Sequence, residues 1–274
     1  ACGAGIGDRP TSTVGYERKS NKFLEYEDLD EFKRFVMESA PPEPHHYKHL
    51  KKVNGQGPPV LGHVPAVRGL PPKEFQRATQ GDDVQLVDTR QMLAFGGGHI
   101  ENSINIGPRP ELSVWAGQVL DYEKPILLVV EDETRLDWFL WHFVYTGFTD
   151  FAGYLVGGMK AWDNEGLPLR HVPQVTVHEL HQRLGEVQPL DVRPLSSFQQ
   201  GRIPGSQQLW VADMRDGLDR IEGLDREKPV VAYCGSGYRA SLAASLLQQS
   251  GFKDVRNLLG SWSAWTEAGY ETEK

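Results

Sequence analysis

Cys234 begins the segment of the sequence with the clearest chemical potential, Cys-Gly-Ser-Gly-Tyr-Arg, which ends at Arg239. The segment follows an apolar run, Val230–Tyr233, and precedes a helical pattern. Its two glycines permit unusual backbone dihedrals, so successive N–H groups can point inward and form an anion-binding cradle. A helix N-terminus and Arg239 add positive charge. Because such surroundings favour the thiolate form, we expect Cys234 to be a nucleophile at neutral pH.

A repeat organises the chain and places this loop in its second copy. Leu86–Arg90 matches Pro189–Arg193, with the Asp and Arg positions of each pair 103 residues apart. The same offset relates Phe95 to Phe198, Gly98 to Gly201, Ile100 to Ile203, Ser103 to Ser206 and Trp162 to Trp265. A period of this length indicates two whole domains, which we place at residues 71–172 and 173–274.

Each copy contains strands that alternate with helices. A short apolar run ends in Asp-x-Arg, a second apolar run follows, and a third β-rich piece comes after a helical pattern. In the second copy this helix ends near Gly251, a residue typical of a helix C-cap. The pattern predicts an α/β fold with a mainly parallel sheet flanked by helices in each copy. Such sheets bind ligands at the carboxyl ends of their strands.

Residues 1–70 lie outside the repeat. Apolar residues recur on one face of the stretch from Asp28 to Met37, which predicts a helix there. The proline-rich stretch from Ala40 to Pro44 ends this helix, and the Gly- and Pro-rich stretch from Asn54 to Pro72 is typical of a linker. If this segment does not fold on its own, its exposed apolar side chains would promote association into a homo-oligomer.

The composition excludes several classes of protein. The 274 residues carry a net charge of −8, with 39% hydrophobic and 24% charged residues, which is typical of a globular protein that does not bind nucleic acid. The longest apolar run, Ile126–Val130, is too short to span a membrane, and no secretory signal is visible. With only two cysteines, Cys2 and Cys234, the chain fits a reducing compartment, and we expect a cytoplasmic location.

The loop and the repeat together resemble the rhodanese family of sulfurtransferases. The resemblance covers about residues 75–274, and its matching segments are Leu190–Arg193, Gly201–Ser206, Cys234–Arg239 and Gly260–Trp265. It implies that Cys234 accepts a sulfane sulfur from thiosulfate or from a low-molecular-weight persulfide such as glutathione persulfide. The Cys234 persulfide then passes this sulfur to a thiol, sulfite or cyanide, and no cofactor is needed.

The resemblance also implies roles for individual residues. Arg239 and the loop hold the anionic part of the donor, and the substrate-binding loop consists of Gly235, Ser236, Gly237 and Tyr238. Asp191 and Arg193 are expected to support the loop and not to touch sulfur. Arg202 either lines the pocket or pairs with an acidic group on the surface.

Two alternatives to sulfur transfer stay open. The six residues from Cys234 to Arg239 make a loop one residue shorter than in the related dual-specificity phosphatases and arsenate reductases. The shorter loop suits a sulfur atom and not a tetrahedral oxyanion. The resemblance therefore disfavours the first alternative, a phosphatase or arsenate reductase. The second alternative is a docking or sulfur-relay module that does not turn over small molecules.

The first copy departs from the pattern of an active loop. Its corresponding segment, residues 130–137, reads Val-Glu-Asp-Glu-Thr-Arg-Leu-Asp and has neither cysteine nor glycine. Glu131, Asp132 and Glu133 would repel an anionic donor. We therefore predict a rhodanese-like domain without activity, used for packing or docking. His99, at the position of Arg202, is expected to be a hydrogen-bonded structural residue.

The N-terminal segment carries a second resemblance, over about residues 1–60. Through Ala1–Gly3 and Thr11–Asn21 it is similar to the end of the metallo-β-lactamase-fold domain in persulfide dioxygenases that are fused to tandem rhodanese domains. This similarity implies an upstream domain in which non-haem iron oxidises a persulfide to sulfite. The sequence lacks that family's His-x-His-x-Asp-His motif, so we assign iron to the upstream domain alone.

A group of histidines, His45, His46 and His49, could suggest a metal site, because two of them are four residues apart. No cysteine or carboxylate completes a convincing ligand set. We therefore predict a solvated or interdomain histidine patch and no metal site in this chain.

Overall fold

A computed structural model of the chain describes residues 11–39, 43–218 and 223–274. Contacts divide the chain into two compact units, Ala1–Glu43 and Pro44–Lys274. Cys2 and the resemblance of Ala1–Gly3 lie outside the described residues, and so does most of the predicted helix-ending stretch at residues 40–44.

The first unit contains two α-helices and a short 3-10 helix. These elements are α1 (Val14–Ser20), the 3-10 helix (Lys22–Leu24) and α2 (Leu29–Ser39). Thr13 caps α1, because its hydroxyl accepts the N–H of Tyr16. The predicted helix at residues 28–37 is therefore present, and it continues to Ser39.

The second unit contains two five-stranded sheets. The strands of the first sheet are β1 (Gly69–Leu70), β2 (Gln85–Asp88), β3 (Ile104–Asn105), β4 (Ile126–Val129) and β5 (Phe151–Leu155). The strands of the second sheet are β6 (Gln174–Val175), β7 (Gln188–Asp191), β8 (Gln207–Gln208), β9 (Val230–Tyr233) and β10 (Val255–Leu258). The strand orders are β1-β5-β4-β2-β3 and β6-β10-β9-β7-β8, and the named strands pair in parallel. The predicted α/β class with a mainly parallel sheet in each copy is confirmed.

Helices connect these strands and cover the sheets. Those that accompany the first sheet are α3 (His45–Gln56), α4 (Pro72–Ala78), α5 (Met92–Gly97), α6 (Leu112–Val119), α7 (Leu136–Val144) and α8 (Gly158–Asn164). Those of the second are α9 (Val177–Gln182), α10 (Leu195–Gln200), α11 (Met214–Gly217), α12 (Tyr238–Gln249) and α13 (Ser261–Glu267). Short 3-10 helices lie at Glu133–Arg135 and Val211–Asp213. Among the described residues, no helix has the length and apolar character needed to cross a bilayer.

The central strands β4 and β9 are buried along their whole length, as expected for parallel strands covered on both faces. Trp162 and Trp265 are buried to 1% and 0% exposure. Each indole N–H donates to a carbonyl six residues later, that of Pro168 and that of Glu271. The prediction that both tryptophans belong to the core is therefore confirmed.

Two elements that precede residue 71 pack with elements of the first repeat. Strand β1 pairs with β5, and α3 packs on α6, although both elements fall in the stretch assigned to an N-terminal remnant and linker. The histidine patch makes this contact. His46 is buried against Gly117, and the ring of His49 stacks on Tyr122 at 3.7 Å between centroids. In the part of the chain that the structure describes, no three His, Cys, Asp or Glu side chains are grouped to hold a metal.

Helix α12 lies between its own sheet and the first repeat. The Ser241 hydroxyl donates to Asn105 Oδ1, and the Asn105 N–H donates to the Ser245 hydroxyl. One ring nitrogen of His99 lies 3.0 Å from Gln248 Oε1, and the other lies 2.9 Å from the Phe95 carbonyl. The expectation of a hydrogen-bonded structural His99 is met. These contacts fix the helix that follows Cys234 against the first repeat.

Candidate active site

Cys234 lies at the carboxyl end of β9, the central strand of the second sheet, and is 1% exposed. The N–H of Gly237 donates a hydrogen bond to its Sγ atom at 3.2 Å. The loop therefore brings a backbone amide to the atom that would act as the nucleophile.

Gly237 has the backbone conformation that only a glycine adopts easily, with φ +107°. A Cβ atom at this position would also lie 3.1 Å from the Met92 sulfur of the first repeat. A larger residue would strain the backbone here and would require the end of the Met92 side chain to move. The glycine conformation therefore suits a loop that turns this N–H toward Cys234.

The turn at the start of α13 holds the peptide groups on both sides of Cys234. The Ser261 hydroxyl accepts the N–H of Cys234 at 3.1 Å and donates to the carbonyl of Leu258 at 3.0 Å. The N–H of Trp262 donates to the Cys234 carbonyl at 2.9 Å. Ser261 adopts φ +51°, a left-handed conformation that disfavours residues other than glycine. The turn thus keeps a strained serine whose hydroxyl joins the ends of β9 and β10.

Arg239 lies in the first turn of α12, where the sequence placed it. Its Nη2 atom is 3.6 Å from the point that a Cβ atom would occupy on Gly235, so the guanidinium folds back toward the loop. Arg239 forms no ion pair with the described residues. Ser236 is exposed at the apex of the loop. The site therefore combines a thiol, a backbone donor and an uncompensated positive charge.

Asp191 and Arg193 form a buried ion pair beneath this loop. Arg193 Nε donates to Asp191 at 3.0 Å, and its Nη2 donates to the other carboxylate oxygen at 2.6 Å. The guanidinium also donates to the carbonyl of Gly201 and lies 4.4 Å from the Trp262 ring. Because Trp262 binds the Cys234 carbonyl, this pair supports the loop from below and is separated from sulfur by other groups.

Tyr238 and Arg202 point away from the loop. The Tyr238 hydroxyl donates to the carbonyl of Gly107 in the first repeat, and burial raises the pKa of this phenol. Arg202 forms a β-bridge with Glu273, and its Nε atom lies 3.4 Å from that carboxylate. Of the two roles considered for Arg202, the structure shows the pairing with an acidic group.

Sequence reasoning missed several residues of this site. Met92 and Gly107 reach it from the first repeat, and Ser261 reaches it from a turn 27 residues further along the chain. The stretch from Gly260 to Trp265 belongs to the family resemblance, but nothing in its spacing shows that a hydroxyl meets the Cys234 N–H. Contacts between the two copies leave no signal in a single sequence.

The corresponding loop of the first repeat lacks these features. Val130 follows β4 where Cys234 follows β9, and Arg135 lies 4.8 Å from the Trp138 ring. The Glu133 carboxylate accepts the N–H of Gly157 at 2.6 Å. The loop of the first repeat therefore contains the Glu133 carboxylate, bound to a backbone N–H, whereas the loop of the second repeat contains the Cys234 thiol.

In the part of the chain that the structure describes, one of the two parallel α/β repeats has a cysteine cradled at the end of its central strand. The family model of the rhodanese-like domain matches the chain at residues 71–165 and again at 176–268. The chain therefore belongs to the rhodanese-like family.

Named relatives of this family are similar to parts of the chain. The putative mitochondrial thiosulfate sulfurtransferase of Schizosaccharomyces pombe is 32% identical over 88 residues, which are 28% of this chain and 62% of that protein. The 3-mercaptopyruvate sulfurtransferase of Escherichia coli K12 is 26% identical over 200 residues, which are 58% of this chain and 71% of that protein. The chain thus spans less than two thirds of the first relative. The names of these relatives support the rhodanese type of sulfurtransferase as the enzyme class.

A solved structure of a metallo-beta-lactamase from Staphylococcus aureus subsp. aureus COL also matches, with 29% identity and a TM-score of 0.44. The match covers 56% of this chain and 43% of that one.

Proposed function

We propose that this chain is a sulfurtransferase that moves a sulfane sulfur from thiosulfate or a low-molecular-weight persulfide to a thiol, sulfite or cyanide. The observation that carries the proposal is the hydrogen bond from the Gly237 N–H to Cys234 Sγ, in a loop without an acidic side chain. This arrangement supports a thiolate that can accept sulfur and give it up again.

The proposed reaction has two displacement steps. The Cys234 thiolate attacks the outer sulfur of thiosulfate, the bond between the two thiosulfate sulfurs breaks, and its electron pair leaves with sulfite. Cys234 keeps the outer sulfur as a persulfide. An acceptor then attacks this sulfur, and the electron pair of the Cys234 sulfur–sulfur bond returns to the thiolate. Electrons and atoms balance without a cofactor.

The protein groups around Cys234 have distinct parts in this proposal. The Gly237 N–H stabilises the thiolate before the first step and after the second. Arg239 supplies positive charge for the sulfonate of the donor, because the Arg239 guanidinium folds toward the loop and forms no ion pair with the described residues. Asp191 and Arg193 keep the loop in place. Val130 gives the first repeat no nucleophile, so we assign transfer to the second repeat alone.

Intact-protein mass spectrometry after brief incubation with thiosulfate, or with glutathione persulfide, tests the proposal. We expect the wild type to gain one sulfur atom that cyanide or sulfite removes. The Cys2→Ser variant should gain it as well, and Cys234→Ser should not. No gain with either donor contradicts the proposal and favours a sulfur relay that needs another domain. Aryl phosphate hydrolysis that is lost in Cys234→Ser would favour a phosphatase instead.

We also propose that about residues 1–60 end a metallo-β-lactamase-fold domain, so that the parent protein acts in persulfide oxidation. Support comes from the sequence pattern of residues 11–21 and from helix α2, on which Leu29 is 63% and Met37 is 77% exposed. Expression with such a domain upstream tests this idea. With glutathione persulfide and oxygen, that protein should release thiosulfate, and its Cys234→Ser variant should release sulfite. Equal products from both proteins would contradict the link.

A further inference from the structure

The first repeat forms part of the wall around the Cys234 loop. Met92 packs against Gly237, and the hydroxyl of Tyr238 donates to the Gly107 carbonyl at 3.1 Å. Gly107 and the Tyr238 ring are so close that a Cβ atom on Gly107 would lie 3.1 Å from the ring. The segment that follows β3 is therefore held beside the loop of the second repeat.

Arg109 belongs to this segment and covers the same tyrosine. Its guanidinium carbon lies 4.7 Å from the centroid of the Tyr238 ring. A cation over an aromatic face is attracted to it, so the ring keeps the charge beside the first turn of α12. Arg109 is exposed and forms no ion pair with the residues that the structure describes. The carboxylate of Glu111 also acts on Tyr238, but it lies beyond ion-pair distance of Arg109.

Other arginines of the second repeat near the site are already neutralised. Arg193 is bound by Asp191, and Arg202 by Glu273. Among the described residues, Arg239 and Arg109 thus remain without an ion-pair partner at this place. Arg239 follows Tyr238 in the sequence, and Arg109 lies over the Tyr238 ring. The whole chain has a net charge of −8, which repels anions at a distance. Local cations offset this repulsion and raise the concentration of anions at a site.

We propose that Arg109 is an anion-binding residue of the sulfur-transfer site, contributed by the repeat that has no nucleophile. Its ligand is the anionic group of the sulfur donor or acceptor, a sulfonate or a carboxylate. The inference rests on the proposed function for the identity of this ligand. The first repeat would then complete the binding site, beyond its structural support of α12.

Alkylation of Cys234 by iodoacetate and by iodoacetamide, followed on the Cys234 peptide by mass spectrometry, tests the charge of the site. The two reagents differ in charge, so the ratio of their rates reports electrostatics and cancels a general change in thiol reactivity. Removing one nearby cation in Arg109→Gln should lower the iodoacetate-to-iodoacetamide ratio about three- to tenfold. Arg109→Lys should keep most of the ratio, and added salt should shrink the difference.

Arg135→Gln is the matched control. This exposed arginine of the first repeat lies over the ring of Trp138 in the loop after β4, and its loss changes the net charge equally. The ratio in Arg135→Gln should stay within about twofold of the wild type, because Arg135 belongs to the other loop and exposed charges are screened by salt. An unchanged ratio in Arg109→Gln, or an equal fall in Arg135→Gln, would overturn the proposal.

Sulfur-transfer kinetics give a second, separate readout. In Arg109→Gln the KM should rise severalfold with kcat within about twofold, since binding and not chemistry is weakened. A rise for thiosulfate identifies the sulfonate as the ligand, and a rise for glutathione persulfide alone identifies a carboxylate. Unchanged KM values for both donors would contradict the proposal. The alkylation ratio does not require sulfur transfer. If the wild type forms no persulfide, the proposed function is contradicted, and the alkylation ratio still tests whether Arg109 binds anions.

Discussion

The loops that follow β4 and β9 leave the two sheets at equivalent positions, but they differ in charge. Asp88 pairs with Val129 in the first sheet, as Asp191 pairs with Tyr233 in the second, so Val130 and Cys234 occupy equivalent positions. After Cys234, glycines let a backbone N–H reach sulfur. After Val130, the loop's own Glu133 carboxylate takes the N–H of Gly157. The proposed sulfur transfer would therefore depend on a few loop residues and not on the scaffold that the two repeats share.

The scaffold beneath the two loops is nearly identical. Arg90 binds Asp88 with the same 3.0 and 2.6 Å contacts that join Arg193 to Asp191. Each guanidinium also reaches a glycine carbonyl eight residues later, that of Gly98 or Gly201. Because the repeat without a cysteine keeps the whole arrangement, we expect the ion pair to serve folding and not sulfur chemistry.

Removing the carboxylate of either pair should have the largest effect. Asp191→Ala and Asp88→Ala would each leave a buried guanidinium without its partner, which costs about 3–5 kcal/mol. We expect a loss of this size in the free energy of unfolding, measured with urea, for both variants. Asp163→Ala is the control, because this carboxylate is exposed. A large loss for Asp191→Ala alone would show that the second pair does something the first does not.

The Ser261→Gly variant tests whether the Ser261 hydroxyl positions Cys234 for reaction or only stabilises the fold. The variant loses the two hydrogen bonds of the hydroxyl, to the Cys234 N–H and to the Leu258 carbonyl, each worth about 0.5–1.5 kcal/mol. It also relieves a left-handed residue, worth about 1–2 kcal/mol. These terms nearly cancel, so thermal unfolding should shift little. The rate of Cys234 persulfide formation should nevertheless fall about tenfold, which corresponds to 1.4 kcal/mol of transition-state free energy.

Ser103→Ala is the matched control for Ser261. Its buried hydroxyl donates to the carbonyl of Ile100, three residues earlier, just as Ser261 donates to Leu258. This variant should form the persulfide at the wild-type rate. If Ser261→Gly also keeps that rate, the hydroxyl does not position Cys234.

A cysteine placed in the first repeat tests whether the nucleophile alone is enough for sulfur uptake. In Val130→Cys, made together with Cys234→Ser, we expect persulfide formation below about 1% of the wild-type rate, since three acidic residues follow the new cysteine. The same mass measurement with thiosulfate checks this. Substantial sulfur uptake would mean that the nucleophile alone decides activity and that the glycine cradle is dispensable.

The sequence predicted the repeat, the parallel α/β fold and the loop, because these features depend on local patterns and on the internal match at one offset. It also predicted that Asp191 and Arg193 would support the loop, and the structure places them beneath Trp262. It assigned Tyr238 to substrate binding, yet the hydroxyl of this tyrosine binds the first repeat. The orientation of the Tyr238 side chain depends on packing between the two repeats. Such packing cannot be read from a single sequence.

The contribution of residues before 71 to the first sheet is not visible in the sequence pattern for a related reason. Glycines and prolines between residues 54 and 72 are typical of a linker, but two residues of that stretch add strand β1 beside β5. A strand this short has no periodicity. Helix α3 is polar and lies outside the internal match, so the sequence does not predict its contact with α6.

The smallest predicted effect concerns helix α3, which packs on α6 of the first repeat. Burial lowers the pKa of His46 below its ordinary 6.5, and burial and Lys52 lower that of His49. A lowered pKa means that packing favours the neutral ring, so its stabilising contribution is lost as the pH falls below 6.5. Between pH 7.5 and 5.5, amide exchange of α3 should therefore accelerate more than that of α12. In His46→Phe this difference should shrink, and equal acceleration of both helices in the wild type would contradict the prediction.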